Sequence, residues 1–194
     1  MRTRLIHILL FCCLGLLSPL QIMAATQTQV IDETLRQRLQ DAINDSRSFK
    51  DKYMAEVWLA DMSLRLARYI DDEQERVEIL TVLHEEAKRV DIPPELVLAV
   101  IEVESAFNRF AISYVGARGL MQVMPFWLKE IGKPDENMFD IRTNLRMGCT
   151  ILRHYLDREK GDKLSALARY NGSLGKRKYP DKVFKALSKH WYRQ

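Results

Sequence analysis

Glu95-Leu96-Val97-Leu98-Ala99-Val100-Ile101-Glu102-Val103-Glu104-Ser105-Ala106 is apolar on nearly every side except at its glutamates. A helix of that composition has little solvent face to offer, so it belongs inside a core. Asp91-Ile92-Pro93-Pro94 breaks the chain before it and places a proline where a helix can open. Val97, Val100, Ile101 and Glu104 fall on one side of this helix. Glu102 lies about 200° away around the axis, on a different face. A carboxyl group that continues an apolar face is costly to ionise, so its pKa should rise. A raised pKa suits a general acid working near neutral pH. Two readings of Glu104 are open at this point: a general acid, or a buried carboxyl bonded to backbone or to a tyrosine.

Outward from this helix, no period-two alternation is long enough for a strand, and helical spacing recurs instead. Toward the N-terminus, Ile31, Leu35, Leu39 and Ala42 form one stripe. A second helix is expected from Asp51 to Ile70, with Tyr53, Val57 and Leu64 on one side, read as core. A third carries Leu80, Leu83, Ala87 and Val90, with Asp72 as its N-cap and Glu75 three residues on. Toward the C-terminus, a glycine-bearing stretch runs from Ser113 to Pro125, then a loop with Gly132, Pro134 and Asn137. Leu145, Cys149, Leu152 and Leu156 mark a helix ended by Gly161, with Asp140 suited to a turn or cap before it. Leu164 to Tyr170 is a short helix ending at Asn171-Gly172, and Val183, Phe184, Leu187 and Trp191 mark the last. The pattern is all-α, with a seam near Val90 between an N-terminal helical region, 26–90, and a part holding the chemistry, 91–194.

Residues 1–25 read as a secretory signal peptide. Arg2 and Arg4 give a basic start, Leu5 to Leu17 is apolar but short for a membrane span, and Ala24 and Ala25 are small. An uncleaved anchor helix is the alternative. This implies a periplasmic or secreted protein with no integral membrane domain after cleavage. Cys12 and Cys13 leave with the signal, so Cys149 stands alone and no internal disulfide forms. Its apolar helical surroundings favour a buried thiol over a nucleophile. Of the 194 residues' formal charge of +4, Arg2 and Arg4 account for two, leaving +2. That excess does not argue for nucleic acid. The basic end (Lys176, Arg177, Lys178, Lys182, Lys185, Lys189) could favour an anionic polymer, but a solvated helix face is the better explanation of those charges. His84, His154 and His190 are scattered without metal-ligand spacing, and no metal or cofactor is expected.

The remaining signal is a series of motifs. Glu104-Ser105-Ala106-Phe107 is followed by Ala111-Ile112-Ser113. Then comes Gly116-Ala117-Arg118-Gly119-Leu120-Met121-Gln122-Val123-Met124-Pro125. Asn144 and Gly148 stand four apart, and Ala166-Leu167-Ala168-Arg169-Tyr170-Asn171-Gly172-Ser173 comes later. This series, from roughly Leu83 to Trp191, resembles the soluble lytic transglycosylase family, relatives of goose-type lysozyme. Gly172-Ser173 departs from the family's Ala-Gly after Tyr-Asn, and Phe126-Trp127 from its small residue and Thr after Met-Pro. Neither touches a matched catalytic position; both bear on the shape of the saccharide groove.

The resemblance implies a lysozyme-like α-helical domain acting on peptidoglycan glycan strands. It implies cleavage of the MurNAc-β-1,4-GlcNAc bond with 1,6-anhydro-MurNAc products. Glu104 would be the catalytic acid and then base. Ser113 would sit beside the substrate's acetamido group. Gln122 and Met124 would touch the sugar, and Tyr170 and Asn171 would complete the site. A packed tyrosine and a core methionine are the plainer readings of Tyr170 and Met124. Most glycosidases use two carboxylates, but none of the matched motifs supplies a second one. A goose-type-lysozyme-like hydrolase, or a non-catalytic peptidoglycan-binding or secretion-assembly protein, are the competing readings.

Overall fold

A computed structural model describes residues 51–131 and 133–192. The expected signal peptide and the Ile31–Ala42 stripe lie outside the described residues. Among those described the fold is all-α, with isolated β-bridges but no strand.

Helix α1, Lys52–Leu66, opens at Asp51, whose side chain accepts from the Met54 amide at 3.0 Å. Its core face is Ala55, Trp58, Leu59, Met62 and Leu66. The expected Tyr53-Val57-Leu64 face is not the core face: Tyr53 is 73% and Val57 39% exposed, and Leu64 is half-buried. Both stripes have helical spacing, and the one richer in large apolar volume took the interior. The helix also ends before Ile70. Arg76 Nη1 holds the Ile70 and Asp71 carbonyls at 2.8 Å each, which fixes a turn there.

Helix α2, Glu73–Arg89, is capped as expected: Asp72 accepts from the Gln74 and Glu75 amides at 2.7 and 3.1 Å. Helix α3, Pro94–Ser105, is the quoted segment, and Leu96 through Ile101 are all buried. After a short α4, Trp127–Ile131, helix α5 spans Ile141–Arg158, with Asp140 accepting from the Thr143 amide at 2.8 Å. Helix α6, Lys163–Tyr170, is capped by Asp162. Helix α7, Lys178–Ala186, widens into a π-helical turn at Leu187–Trp191. The sequence pattern predicts an uninterrupted α-helix there. The wider turn instead delivers Trp191, fully buried, to the side of α3.

Helices α2 and α7 and the π-turn pack around α3, while α5 lies against α2 and α6. The buried side chains form one cluster from Ala55 to Trp191. Cys149 lies fully buried in it, and burial pushes its thiol far up, so it is inert as a nucleophile. No helix among the described residues is long and apolar enough to cross a membrane.

Candidate active site

The site forms where α3 ends. Ala106 and Phe107 both adopt left-handed backbone, φ 48° and 64°, which costs a non-glycine residue about 1 kcal/mol or more. The turn drives Phe107 into the core between Tyr69 and Trp191, with ring centroids 5.1 and 5.5 Å away. That burial offsets the strain and leaves Glu104 on the last turn of the helix, half-buried.

Burial pushes the Glu104 carboxyl up to about 7. The Tyr179 hydroxyl donates to Glu104 Oε1 at 2.6 Å, which opposes the shift without cancelling it. The sequence reading named Tyr170 and not Tyr179. Yet Tyr179 shares the buried face of α7 with Val183 and Ala186. A hydroxyl on an apolar helix face needs an internal partner, and that was the available signal.

Tyr170 takes a different place. Its hydroxyl donates to the Met121 carbonyl at 2.7 Å, and burial, helped by the neighbouring Glu104 charge, holds it protonated. The other end of this residue is held too: the Met121 amide donates to Asn144 Oδ1 at 2.8 Å. Asn144 is completely buried, and its Nδ2 donates to the Arg118 and Met138 carbonyls at 2.9 Å each. One side chain from α5 therefore clamps three backbone groups around the glycine-bearing loop.

The glycines fit that clamp. Gly119 has φ +75°, and a Cβ there would lie 2.7 Å from the Met138 carbonyl and inside the Asn144 side chain. A Cβ on Gly148 of α5 would come within 2.7 Å of the Met121 Cβ. The loop also pairs with itself, through bridges between Ile112, Arg118 and Val123. Ser105 ties it to α3 by donating to the Leu120 carbonyl at 2.8 Å.

Ser113, Gln122 and Met124 all lie on this loop. The Ser113 hydroxyl oxygen accepts from the Ala117 amide at 3.0 Å. Gln122 is left-handed, φ 48°, and its amide nitrogen donates to the Gly119 and Ala111 carbonyls at 3.0 and 3.2 Å. Its amide oxygen makes no bond within the described residues. Met124 is half-buried. Asn171 is exposed at the end of α6 and makes no side-chain bond to the others among the described residues.

Glu102 has a separate environment. It accepts from His190 Nδ1 at 2.8 Å and Trp191 Nε1 at 2.7 Å. It anchors the C-terminal turn to α3 on the face away from Glu104. Among the described residues, no three His, Cys, Asp or Glu side chains converge to hold a metal ion.

A family model for the transglycosylase SLT domain matches residues 81–191, beginning within α2. A transglycosylase of Enterobacteria phage PRD1 is 37% identical over 105 residues, covering 50% of this chain and 38% of that protein. Membrane-bound lytic murein transglycosylase C of Actinobacillus pleuropneumoniae serotype 5b (strain L20) is 52% identical over 48 residues, 25% of this chain and 13% of that protein. The protein of the same name from Histophilus somni (strain 2336) is 30% identical over 142 residues, 56% and 39% of the two chains. The chain thus spans well under half the length of these curated relatives. The matched region holds the helix that carries Glu104, the clamped glycine loop and both tyrosines, so this chain is a member of the transglycosylase SLT domain family.

Proposed function

We propose that this protein is a peptidoglycan lytic transglycosylase that cleaves the MurNAc-β-1,4-GlcNAc bond with Glu104 as its acid and base. The observation that carries this reading is a single carboxyl, raised to about 7 by burial and bonded to Tyr179, beside a loop clamped on both sides of Met121. A carboxyl with that pKa is substantially protonated at neutral pH and can also give up its proton readily.

The protonated Glu104 donates to the glycosidic oxygen as the C1–O bond breaks. The substrate's own N-acetyl oxygen bonds to C1 and replaces the missing second carboxylate. The resulting Glu104 carboxylate, held by the Tyr179 hydroxyl, takes the proton from the muramic acid 6-hydroxyl. That oxygen attacks C1, the bond from the acetamido oxygen breaks, and a 1,6-anhydro ring closes. Glu104 ends protonated and no water is consumed.

Ser113, Gln122 and Met124 face the sugar from the loop. Gln122 offers its amide oxygen, and Ser113 still has a hydroxyl proton to donate after accepting from Ala117. Tyr170 supports the loop from α6, and Asn171 extends the groove at its exposed edge. Residues 1–25 act as a secretory signal, which delivers the chain to the periplasm or beyond, where the glycan lies.

Product analysis on purified peptidoglycan tests the reading. Muropeptides lighter by one water than lysozyme products are expected. Reducing-end muramic acid alone would place the protein with the hydrolases. An unchanged product yield from Glu104→Gln would remove Glu104 from the chemistry.

A further inference from the structure

We propose that the outer face of α7 and its π-turn is a docking surface for the carboxylates of peptidoglycan's peptide side chains. Lys178, Lys182, Lys185 and Lys189 stand at i, i+4, i+7 and i+11, and all four are exposed. That spacing puts them in one stripe about 16 Å long. Lys176 and Arg177 extend it at the N-terminal end.

The stripe is electrostatically unfavourable as it stands. Like charges three and four apart on a helix repel. Three cations at a helix N-terminus also oppose the helix dipole. Elsewhere the fold avoids this: α1, α2, α5 and α6 open on Asp51, Asp72, Asp140 and Asp162. Several arginines on other helices are paired within one turn, as in Arg65–Asp61 and Arg153–Asp157. On α7 the one carboxylate between Lys176 and Tyr192 is Asp181, and Arg177 bonds it at 3.3 Å. None of the five lysines has an acidic partner among the described residues. The opposite face, with Tyr179, Val183 and Ala186, already fastens the helix to the core, so the lysines are not needed to hold it.

Its position indicates what the stripe serves. The basic run begins five residues after Asn171, and the helix that carries it also carries, on its inner face, Tyr179, the partner of Glu104. One helix thus supplies a residue to the site and a cationic face to solvent, which suits a ligand carried by the substrate itself. A glycan strand whose lactyl carboxyls are all in amide linkage to peptide offers no charge of its own. Peptide side chains ending in carboxylates do, at regular intervals along the strand. This inference rests on the peptidoglycan reading above and extends it from the sugar to the peptides.

Binding is measured on insoluble sacculi with the full chain in a Glu104→Gln background, so that it does not depend on cleavage. The comparison is between that protein and the same protein carrying K182Q, K185Q and K189Q. Sacculi are used as purified and with carboxylates converted to neutral methylamides. The triple variant should bind native sacculi about tenfold more weakly at about 0.05 M salt. The difference should vanish at about 0.5 M salt, where screening is short-ranged. Amidation should weaken the parent to the level of the variant and leave the variant unchanged. Equal binding of parent and variant to native sacculi overturns the proposal, as does indifference of the parent to amidation. Stripe-dependent binding to duplex DNA that exceeds binding to sacculi overturns it in favour of a nucleic-acid surface. Absence of sacculus cleavage by the wild-type chain, with stripe-dependent binding intact, would sink the enzymatic reading and leave this one standing.

Discussion

The Tyr179 hydroxyl, on α7, meets Glu104 Oε1, at the end of α3, at 2.6 Å, across 75 positions of sequence. Burial raises the carboxyl and this bond partly lowers it, and the balance is about 7.

Glu104→Gln keeps the side chain's size and removes its proton chemistry. Turnover of purified sacculi should fall by about 10²–10⁴. The same substitution should stabilise the fold at alkaline pH. The folded carboxyl titrates at about 7, above its ordinary 4.5, so between these values the native state holds the extra proton. The wild-type protein's stability from this group is full below about 4.5 and lost as pH rises through about 7. The loss amounts to up to roughly 3 kcal/mol. Urea unfolding at pH 5 and pH 8 should show the variant gaining on wild type only at the higher pH.

The alkaline limb of kcat/KM should fall through a pKa near 7, where the free enzyme loses its acid. Tyr179→Phe removes a bond that favours the ionised carboxylate, so this limb should move to higher pH. A pH–rate profile decides it. An unmoved limb would mean that Tyr179 does not tune Glu104.

Asn144→Ala strips three backbone groups of their partner, the Met121 amide and the Arg118 and Met138 carbonyls. Stability should drop by roughly 2–4 kcal/mol. Asn144→Asp should also fail, because a carboxylate cannot donate to the two carbonyls. Thermal unfolding of both variants is the measurement.

His84 gives a second pH dependence, with the opposite sense. Burial holds it down to about 4. The unfolded chain takes up the proton first, so the stability it confers is full above about 6.5 and lost as pH falls toward 4. His84→Gln should flatten the acid side of the stability profile, read by unfolding between those values.

The raised pKa of Glu104 was legible in the sequence, whereas the lowered one of His84 was not. Glu104 shares a helix face with Val97, Val100 and Ile101, and helical geometry alone sets it apart from Glu102. Asp72 and Asp140 were legible as caps because capping is a local bond within three residues. Tyr53 and Val57 lie on the exposed side, because two stripes of α1 have helical spacing and only the neighbouring helices decide which is covered. Tyr179 escaped because its partner lies on another helix.

Local sequence was enough for the succession of helices, the caps at Asp72 and Asp140, the buried character of α3 and the motif series that marks Glu104 and the glycine loop. These depend on periodicity and on bonds between near neighbours in the chain. Tertiary structure alone decided that Tyr179 holds Glu104, and that Asn144 and Tyr170 grip Met121 from two sides. It also decided that the last helix widens into a π-turn to bring Trp191 and His190 onto Glu102. The physical reason is the same in each case. A buried polar atom must find a partner, and which distant residue supplies it is set only when the helices pack.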